Sequence, residues 1–483
     1  MRTILVDPVT RIEGHLKIEL RVEDGKVHEA YSSGGLYRGI EEILSGRHPL
    51  DAQRITTRVC GVCPLAHSLA SAYCLENAFG IGGEIPEAGQ LLRNLIHGAN
   101  FLHNHLLHFY HLSLLDYLDL SRLSGPLADL AGLLSSDGGE DTRFSQEETE
   151  RLLDHYIQAL EMRRKAHELE ALFAGKMPHD MAIVPGGVTY KPGLAEVAAY
   201  RFRLRELRDF LKSVYWPDVL LFLERYRDHF QLGRTRNLLS YGGFPLGSSS
   251  AVLENRLFPA GVVEDGGYRP LVLEEITESV AGSWYSGTGG RPLESTLRPW
   301  PQAQGGYSWL KAPRYQGKAY EVGPAARVRM VLAKGEQRLQ TWIRGMLRDL
   351  NISEEELSSV AGRHLARGIE TLYLAQKLEE WLDSLDLSGL VARPFVIPDQ
   401  AQGMGLTEAA RGAVGHWIRI ERKKIAHYQI ISPTTWNASP RDEKGVPGPI
   451  EQALVGTPVP GEGRLFAGRV VRSFDPCLAC AVH

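Results

Sequence analysis

Cysteine is scarce in this chain, five residues in 483, too few for a disulfide scaffold. Charge of one sign is not in excess either. Lysine and arginine number 54 against 58 aspartates and glutamates, a formal net charge of −4, which argues against the broad basic footprint of a nucleic-acid-binding protein. No run of about 18 apolar residues occurs, so no transmembrane helix is expected. The start, MRTILVDPVTRIEGHL, lacks a basic stretch followed by an apolar one and does not read as a secretory signal. Internal repeats and low-complexity segments are missing too. What is there, 43% hydrophobic and 23% charged residues, is an ordinary globular composition. The length allows about three domains, or one large domain with insertions.

The pattern along the chain favours the second. Residues 15–22 alternate apolar and polar, Asp24-Gly25 supplies a turn, and a second strand follows, so 1–50 reads as a β-hairpin region. Asp51 is a plausible N-cap for a helical stretch running through the first cysteines. Pro64 can open the next helix, which stops at Gly80–Gly83, and a long helix is expected over about 87–120. Amphipathic patterns cover 145–174 and 194–230, with Pro217 expected to kink the second. These make 51–230 the first part of a helical bundle. Residues 231–323, dense in Gly, Pro and Trp, read as an irregular surface-forming insertion. Helices return over 324–349 and 353–386, the latter capped by Ser353, and 387–483 reads as mixed. The expected fold class is mainly α with an α+β periphery, a central bundle of long helices with small β or mixed regions at both chain ends.

The cysteines carry the chemistry. Cys60 and Cys63 form one C-x-x-C pair, Cys74 follows, and nothing more appears until Cys477 and Cys480, beside the C-terminal His483. Each pair offers two sulfurs to one metal, and Gly61 permits the tight backbone of the first. Thiolates are soft ligands for zinc, nickel, copper(I) or iron–sulfur clusters. A four-cysteine structural zinc site is the commonest use of paired C-x-x-C. Two features speak against it: zinc pairs usually lie within tens of residues of each other, and a zinc ribbon needs no DPCLACAVH terminus.

RVCGVCPLAH (58–67) near the start and DPCLACAVH (475–483) at the end together resemble the large subunit of a nickel–iron hydrogenase. The resemblance extends along the whole chain: DPVTRIEGH (7–15), GKMPH (175–179), PGGVT (185–189), KAPRY (311–315), EVGP (321–324), RGAVGHW (411–417) and PTTWN (433–437) occur in this order. The first and last of these runs look most like the membrane-associated uptake group.

The resemblance implies a set of roles. Cys60, Cys63, Cys477 and Cys480 would ligate nickel. Cys63 and Cys480 would also bridge to an iron carrying one carbon monoxide and two cyanides. Cys477, a terminal ligand, and Glu13 would move protons, and Arg411 would stand over the open metal position, paired with Asp475. His67, otherwise an ordinary core histidine, would donate to a bridging thiolate. His483 would hold a magnesium or ferrous ion with Glu41 and the backbone carbonyl of Ile430, Glu42 being the rival carboxylate. His97, His103, His105, His108 and His111 suggest another metal site but are better read as packing and hydrogen bonding. Cys74 reads as a buried inert thiol, and one thiol cannot hold an iron–sulfur cluster. Electrons would therefore leave through an iron–sulfur small subunit, in a heterodimer or a dimer of heterodimers, toward a membrane cytochrome or a cytochrome c.

The substrates implied are H2, protons and electrons, with no nucleic acid. The location implied is the periplasm, reached by export with the small subunit and with membrane association through partners; the cytoplasm is the alternative. Two positions depart from the commonest family pattern. Asn104 stands where many relatives have aspartate, and Ala410 where they have proline, both beside the expected centre. A neutral Asn104 cannot pair ionically with Arg411. Rival readings are a hydrogen-sensing regulatory subunit with the same cofactor, a non-catalytic relative in respiratory complex I, disfavoured by the four cysteines, and a structural zinc protein.

Overall fold

The computed structural model describes residues 1–122, 141–461 and 463–483. Its helical part is built from α1 (Pro64–Ala78), α2 (Glu87–Leu106), α3 (Gln146–Ala174), α4 (Leu194–Phe210), α5 (Trp216–Arg225), α6 (Pro324–Lys334), α7 (Gln337–Asp349), α8 (Val360–Asp383) and α9 (Arg464–Ser473). Local chemistry sets several of their ends. Pro64 and Pro324 sit in first turns, where a missing N–H costs nothing. Ser145 and Glu148 form a reciprocal capping box on α3, and Gly175 ends it in the left-handed region. One apolar cluster runs through α2, α3, α4, α5 and α8. No helix among the described residues is long and apolar enough to cross a membrane.

Three antiparallel three-stranded sheets complete the frame. The first is β1 (Arg2–Val6), β2 (Leu16–Glu23) and β3 (Lys26–Gly34); the second, β4 (Leu238–Pro245), β5 (Arg256–Glu264) and β6 (Gly267–Arg269); the third, β7 (Gln400–Ala409), β8 (Gly412–Glu421) and β9 (Lys424–Ile431). The third sheet packs on α1 at close quarters. A Cβ at Gly405 would lie 2.0 Å from the Ala70 carbonyl and 2.2 Å from the Cys74 nitrogen.

Several expectations need correction. The long helix is regular only to Leu106; a π turn over Leu107–Ser113 and a 3-10 turn to Asp116 follow. Pro217 lies in the first turn of α5, and the irregularity it demands is a π turn over Leu211–Tyr215, after which α5 stops at Arg225. Asp51 is the first residue of a short helix, Asp51–Thr56, and makes no cap. Ser353 does not cap α8: it stands before a 3-10 turn (Glu355–Ser358), where its N–H donates to the Glu356 carboxylate at 2.8 Å, and Ser359 accepts the Gly362 N–H and starts α8 at Val360. Gly335 and Glu336 divide 324–349 into two helices. Residues 231–323 are not a surface insertion throughout, since every residue of β4 is buried. Nor is β structure confined to the periphery, because β8 is buried on both faces for most of its length.

Candidate metal centre

The two ends of the chain meet at the start of α1. Cys60 is extended after a 3-10 turn (Thr57–Val59), and Cys63 occupies the N-cap of α1. At the other end Asp475 takes a left-handed backbone, φ 56°, and turns the chain out of α9. Glu13 and Cys477 then form a parallel bridge, in which the Leu478 N–H donates to the Glu13 carbonyl at 2.8 Å. Gly14 is required there, with φ 82° and room for a Cβ only 2.7 Å from that of Leu478. The result is four free, buried cysteines whose sulfurs all lie within 4.8 Å of one another. Cys60 and Cys477 sulfurs are 3.4 Å apart, Cys63 and Cys480 3.1 Å, Cys477 and Cys480 2.9 Å.

Residues that sequence reading passed over hold this arrangement. Arg38 donates to the carbonyls of Val59, at 2.6 Å, and Ala479, clamping one cysteine segment to the other. The Thr434 hydroxyl accepts the Cys477 N–H at 2.9 Å. Arg367 donates to the Ser473 carbonyl at 2.8 Å, and Arg472 to the Thr10 carbonyl at 2.9 Å. All are long-range contacts of ordinary residue types, so only the PTTWN run hinted at any of them.

Arg411 was expected from a glycine-rich stretch. It occupies the second position of a two-residue hairpin turn, Ala410-Arg411, between paired Ala409 and Gly412, and the whole tip is buried. Burial alone would pull its guanidinium down, but Asp475 and the cysteine sulfurs hold it well above the usual range. The ion pair with Asp475 is 3.1 Å. The other terminal nitrogen donates to Asn104 Oδ1 at 2.8 Å, so Asn104 is met as a neutral acceptor. Ala410 offers only its carbonyl, which accepts from Arg327 at 2.9 Å.

Glu13 stands beside Cys477. The Cys477 thiol donates to Glu13 Oε2 at 3.2 Å, and the Ala479 N–H reaches the same oxygen at 2.8 Å. His67 lies one helical turn beyond Cys63 on α1, its Nδ1 3.0 Å from His416 Nε2, and burial lowers it to about 3. At the chain end, His483 Nε2 is 2.7 Å from the Ile430 carbonyl and 3.6 Å from Glu41 Oε1, while the Ile430 N–H donates to Glu41 Oε1 at 2.8 Å. The buried Lys311 ammonium holds the other Glu41 oxygen. Glu42 turns toward Tyr37 instead.

The five histidines around the long helix go to separate partners. His105 meets Glu370, His108 the Arg472 carbonyl and His111 the Tyr156 carbonyl. His103 lies between Asn100 and Asn104, and His97 packs on Phe101 and Phe244. Among the described residues the four cysteines are the one metal-capable cluster of three or more such side chains. Cys74 is buried, and burial pushes its thiol well above the usual range.

Four buried thiols clustered beside an arginine form a set of soft donors that could hold a metal ion. The sequence matches the family described as nickel-dependent hydrogenase over residues 38–131 and 124–483, and residues 3–33 match a HoxL-like family. The chain belongs to the nickel-dependent hydrogenase family. It is 40% identical over 493 residues to the periplasmic NiFeSe hydrogenase large subunit of Desulfomicrobium baculatum, covering 99% of this chain and 94% of that protein. To the uptake hydrogenase large subunit of Bradyrhizobium diazoefficiens it is 34% identical over 574 residues, covering 100% and 95%. Its structure superposes on the reduced NiFeSe hydrogenase of D. vulgaris Hildenborough with a TM-score of 0.90 at 40% identity, with 100% of both chains covered.

Proposed function

We propose that this chain is the catalytic large subunit of a nickel–iron hydrogenase that interconverts H2 with two protons and two electrons, acting as one domain along its whole length. The observation that carries this is the convergence of four buried cysteine sulfurs from opposite chain ends under Arg411. The donor set fits nickel and iron: four soft thiolates, close enough to share between two metals. Selenium belongs to the names of two of the relatives above; here all four positions are sulfur.

When bound, a nickel–iron group carrying carbon monoxide and cyanides would supply a Lewis-acidic open position at which H2 is polarised. Cys60 and Cys477 would hold nickel alone, and Cys63 and Cys480 would share it with iron. Burial of all four excludes water, so the Arg411 charge acts across a low-dielectric pocket. A guanidinium is a poor resting base, and Arg411 serves as an electrostatic partner held in place by Asp475 and Asn104. The proton at Cys477 Sγ passes to Glu13 Oε2, which lies in direct hydrogen-bond contact and is itself half-buried. His67 is proposed to support a bridging thiolate.

Electrons need a second chain, because Cys74 is the one cysteine left and a single thiol cannot hold an iron–sulfur cluster. We assign that role to an iron–sulfur small subunit, with a membrane cytochrome or cytochrome c beyond it. We place the chain in the periplasm, exported with that subunit; the name of the Desulfomicrobium baculatum relative supports the periplasm. His483 Nε2, Glu41 Oε1 and the Ile430 carbonyl converge as three hard or borderline donors and fit magnesium or ferrous iron. The sensor reading is not favoured, since the relatives are uptake and periplasmic enzymes. Infrared spectroscopy of the purified protein tests the whole. One carbonyl and two cyanide bands in the triple-bond region are expected, and an empty region with stoichiometric zinc would overturn the proposal.

A further inference from the structure

Buried arginines in this chain are matched with care. Arg93 pairs with Glu76, Arg327 with Glu370 and Glu408, and Arg363 with Glu321. Arg256 is met on every guanidinium nitrogen by a backbone carbonyl. Arg367 on α8 differs from all of these. It is fully buried, and only its Nη1 is engaged, donating to the carbonyls of Ser473 at 2.8 Å and Arg363 at 3.3 Å. Its Nε and Nη2 have no hydrogen-bond partner among the described residues. A guanidinium held in this way in a dry interior lowers stability, so its presence calls for a use.

Its surroundings name one. Arg363 and Arg367 are four apart on α8 and share a face. The first donates to the Ser473 hydroxyl at 3.1 Å and the second to the Ser473 carbonyl, so together they grip the end of α9 two residues before Asp475. There Asp475 turns with φ 56° and reaches Arg411 at 3.1 Å. Burial takes the Arg367 guanidinium down to about 10; Asp475 is the carboxylate that opposes this most strongly, while Arg411 adds to the fall. Glu370, next in effect, is already held on both oxygens by Arg327. Asn104, on the other terminal nitrogen of Arg411, adds no charge. One carboxylate is therefore shared by two guanidiniums, and the nearer of these, Arg411, feels the charge of the cysteine sulfurs.

We propose that Arg367 is a positioning residue for the metal centre: it pins the turn that carries Asp475 and shares that carboxylate with Arg411, leaving an excess of positive charge beside the four sulfurs. The proposal rests on the hydrogenase reading above. In a low-dielectric pocket such a charge favours the state of the centre that has gained an electron, and its removal makes reduction harder.

Electrochemical titration of the assembled complex at fixed pH, followed through its carbonyl and cyanide infrared bands, reads this directly. Arg367→Met removes the charge and keeps the length of the side chain. It should shift the midpoint potential of the centre to a lower value at full nickel occupancy. Arg367→Lys keeps the charge and a donor for the Ser473 carbonyl, and should bring the potential back toward that of the unsubstituted protein. Arg367→Gln, neutral and polar, gives the same reading as Met if the Met variant does not load nickel. A potential unmoved in a nickel-loaded neutral variant, or lowered as far in Arg367→Lys, would overturn the proposal. Loss of nickel from both neutral variants would make Arg367 a residue of assembly and overturn it as well. Absence of the bands from the unsubstituted protein would instead overturn the hydrogenase reading, so the two failures are distinct.

Discussion

The two C-x-x-C segments have the same spacing and opposite settings. The first is built into an element: Cys63 stands at the N-cap position of α1, and the N–H groups of Val62 and Cys63 point at the Cys60 sulfur at 3.2 and 3.4 Å. Hydrogen bonds from Cys477 and the other two sulfurs, with the Cys63 N–H behind them, pull the Cys60 thiol well below its usual range. The second segment has no helix to cap. The Cys477 N–H turns away to Thr434, and burial pushes Cys477 and Cys480 well above the usual range. Identical spacing is a statement about geometry, whereas the proton affinity of Cys60, Cys477 and Cys480 comes from the hydrogen bonds and the burial each of them meets.

Only the second pair has a carboxylate in contact, and proton traffic should therefore pass through it. The largest expected effect is common to both pairs. Cys480→Ser and Cys63→Ser should each abolish nickel incorporation and hydrogen-dependent dye reduction, as measured by metal analysis and activity. Stoichiometric nickel with full activity in either would break the symmetry of the shared ligands. Glu13→Gln should separate the pairs: metal stays bound while H/D exchange falls by about 10² to 10⁴-fold, and exchange at the unsubstituted rate would remove Glu13 from the route.

Arg411→Lys keeps the charge but loses the fork that meets Asp475 and Asn104 together. Activity should drop by roughly 10² to 10³-fold with nickel intact, and near-normal turnover would make Arg411 a structural residue. Gly405→Ala should act on the platform of the first pair, because the new methyl meets the backbone of α1. A loss of about 1–3 kcal/mol is expected, seen as a lower Tm, and an unchanged Tm would mean that the sheet and α1 can part without cost.

The last effect is seen only as pH changes. Burial raises Glu170 from 4.5 to about 8, so the folded protein binds a proton there that the unfolded chain releases. Its contribution to stability is full below about pH 4.5 and is lost as pH rises through about 8. Glu170→Gln should flatten the fall of Tm over that window, and an unchanged slope would place the pH dependence elsewhere.

The four clustered cysteines were legible because thiol pairs are rare and their chemistry is carried by residue type alone. Glu13, Arg411, Asp475 and His483 were reached only through resemblance, and the structure brings each into contact with the sulfurs or with their neighbours. Glu41 over Glu42 was not decidable from helical phase; Lys311 and the Ile430 N–H choose between them. The helix at 87–120 was visible as a period, but its π turn was not. Likewise β7–β9 were missed, because a sheet buried on both faces shows no alternation.

By itself the sequence determined what chemistry the protein carries: four soft thiols, a guanidinium and a carboxylate, since these are properties of side chains wherever they stand. Tertiary structure alone decided the rest. It put Arg411 on a buried hairpin tip, gave Cys477 to Glu13 and Thr434, tied both chain ends through Arg38, and linked His67 to Tyr428 through His416. Those assignments depend on distances between segments remote in the chain, and a hydrogen bond formed across such a separation leaves no periodic trace in the residues between.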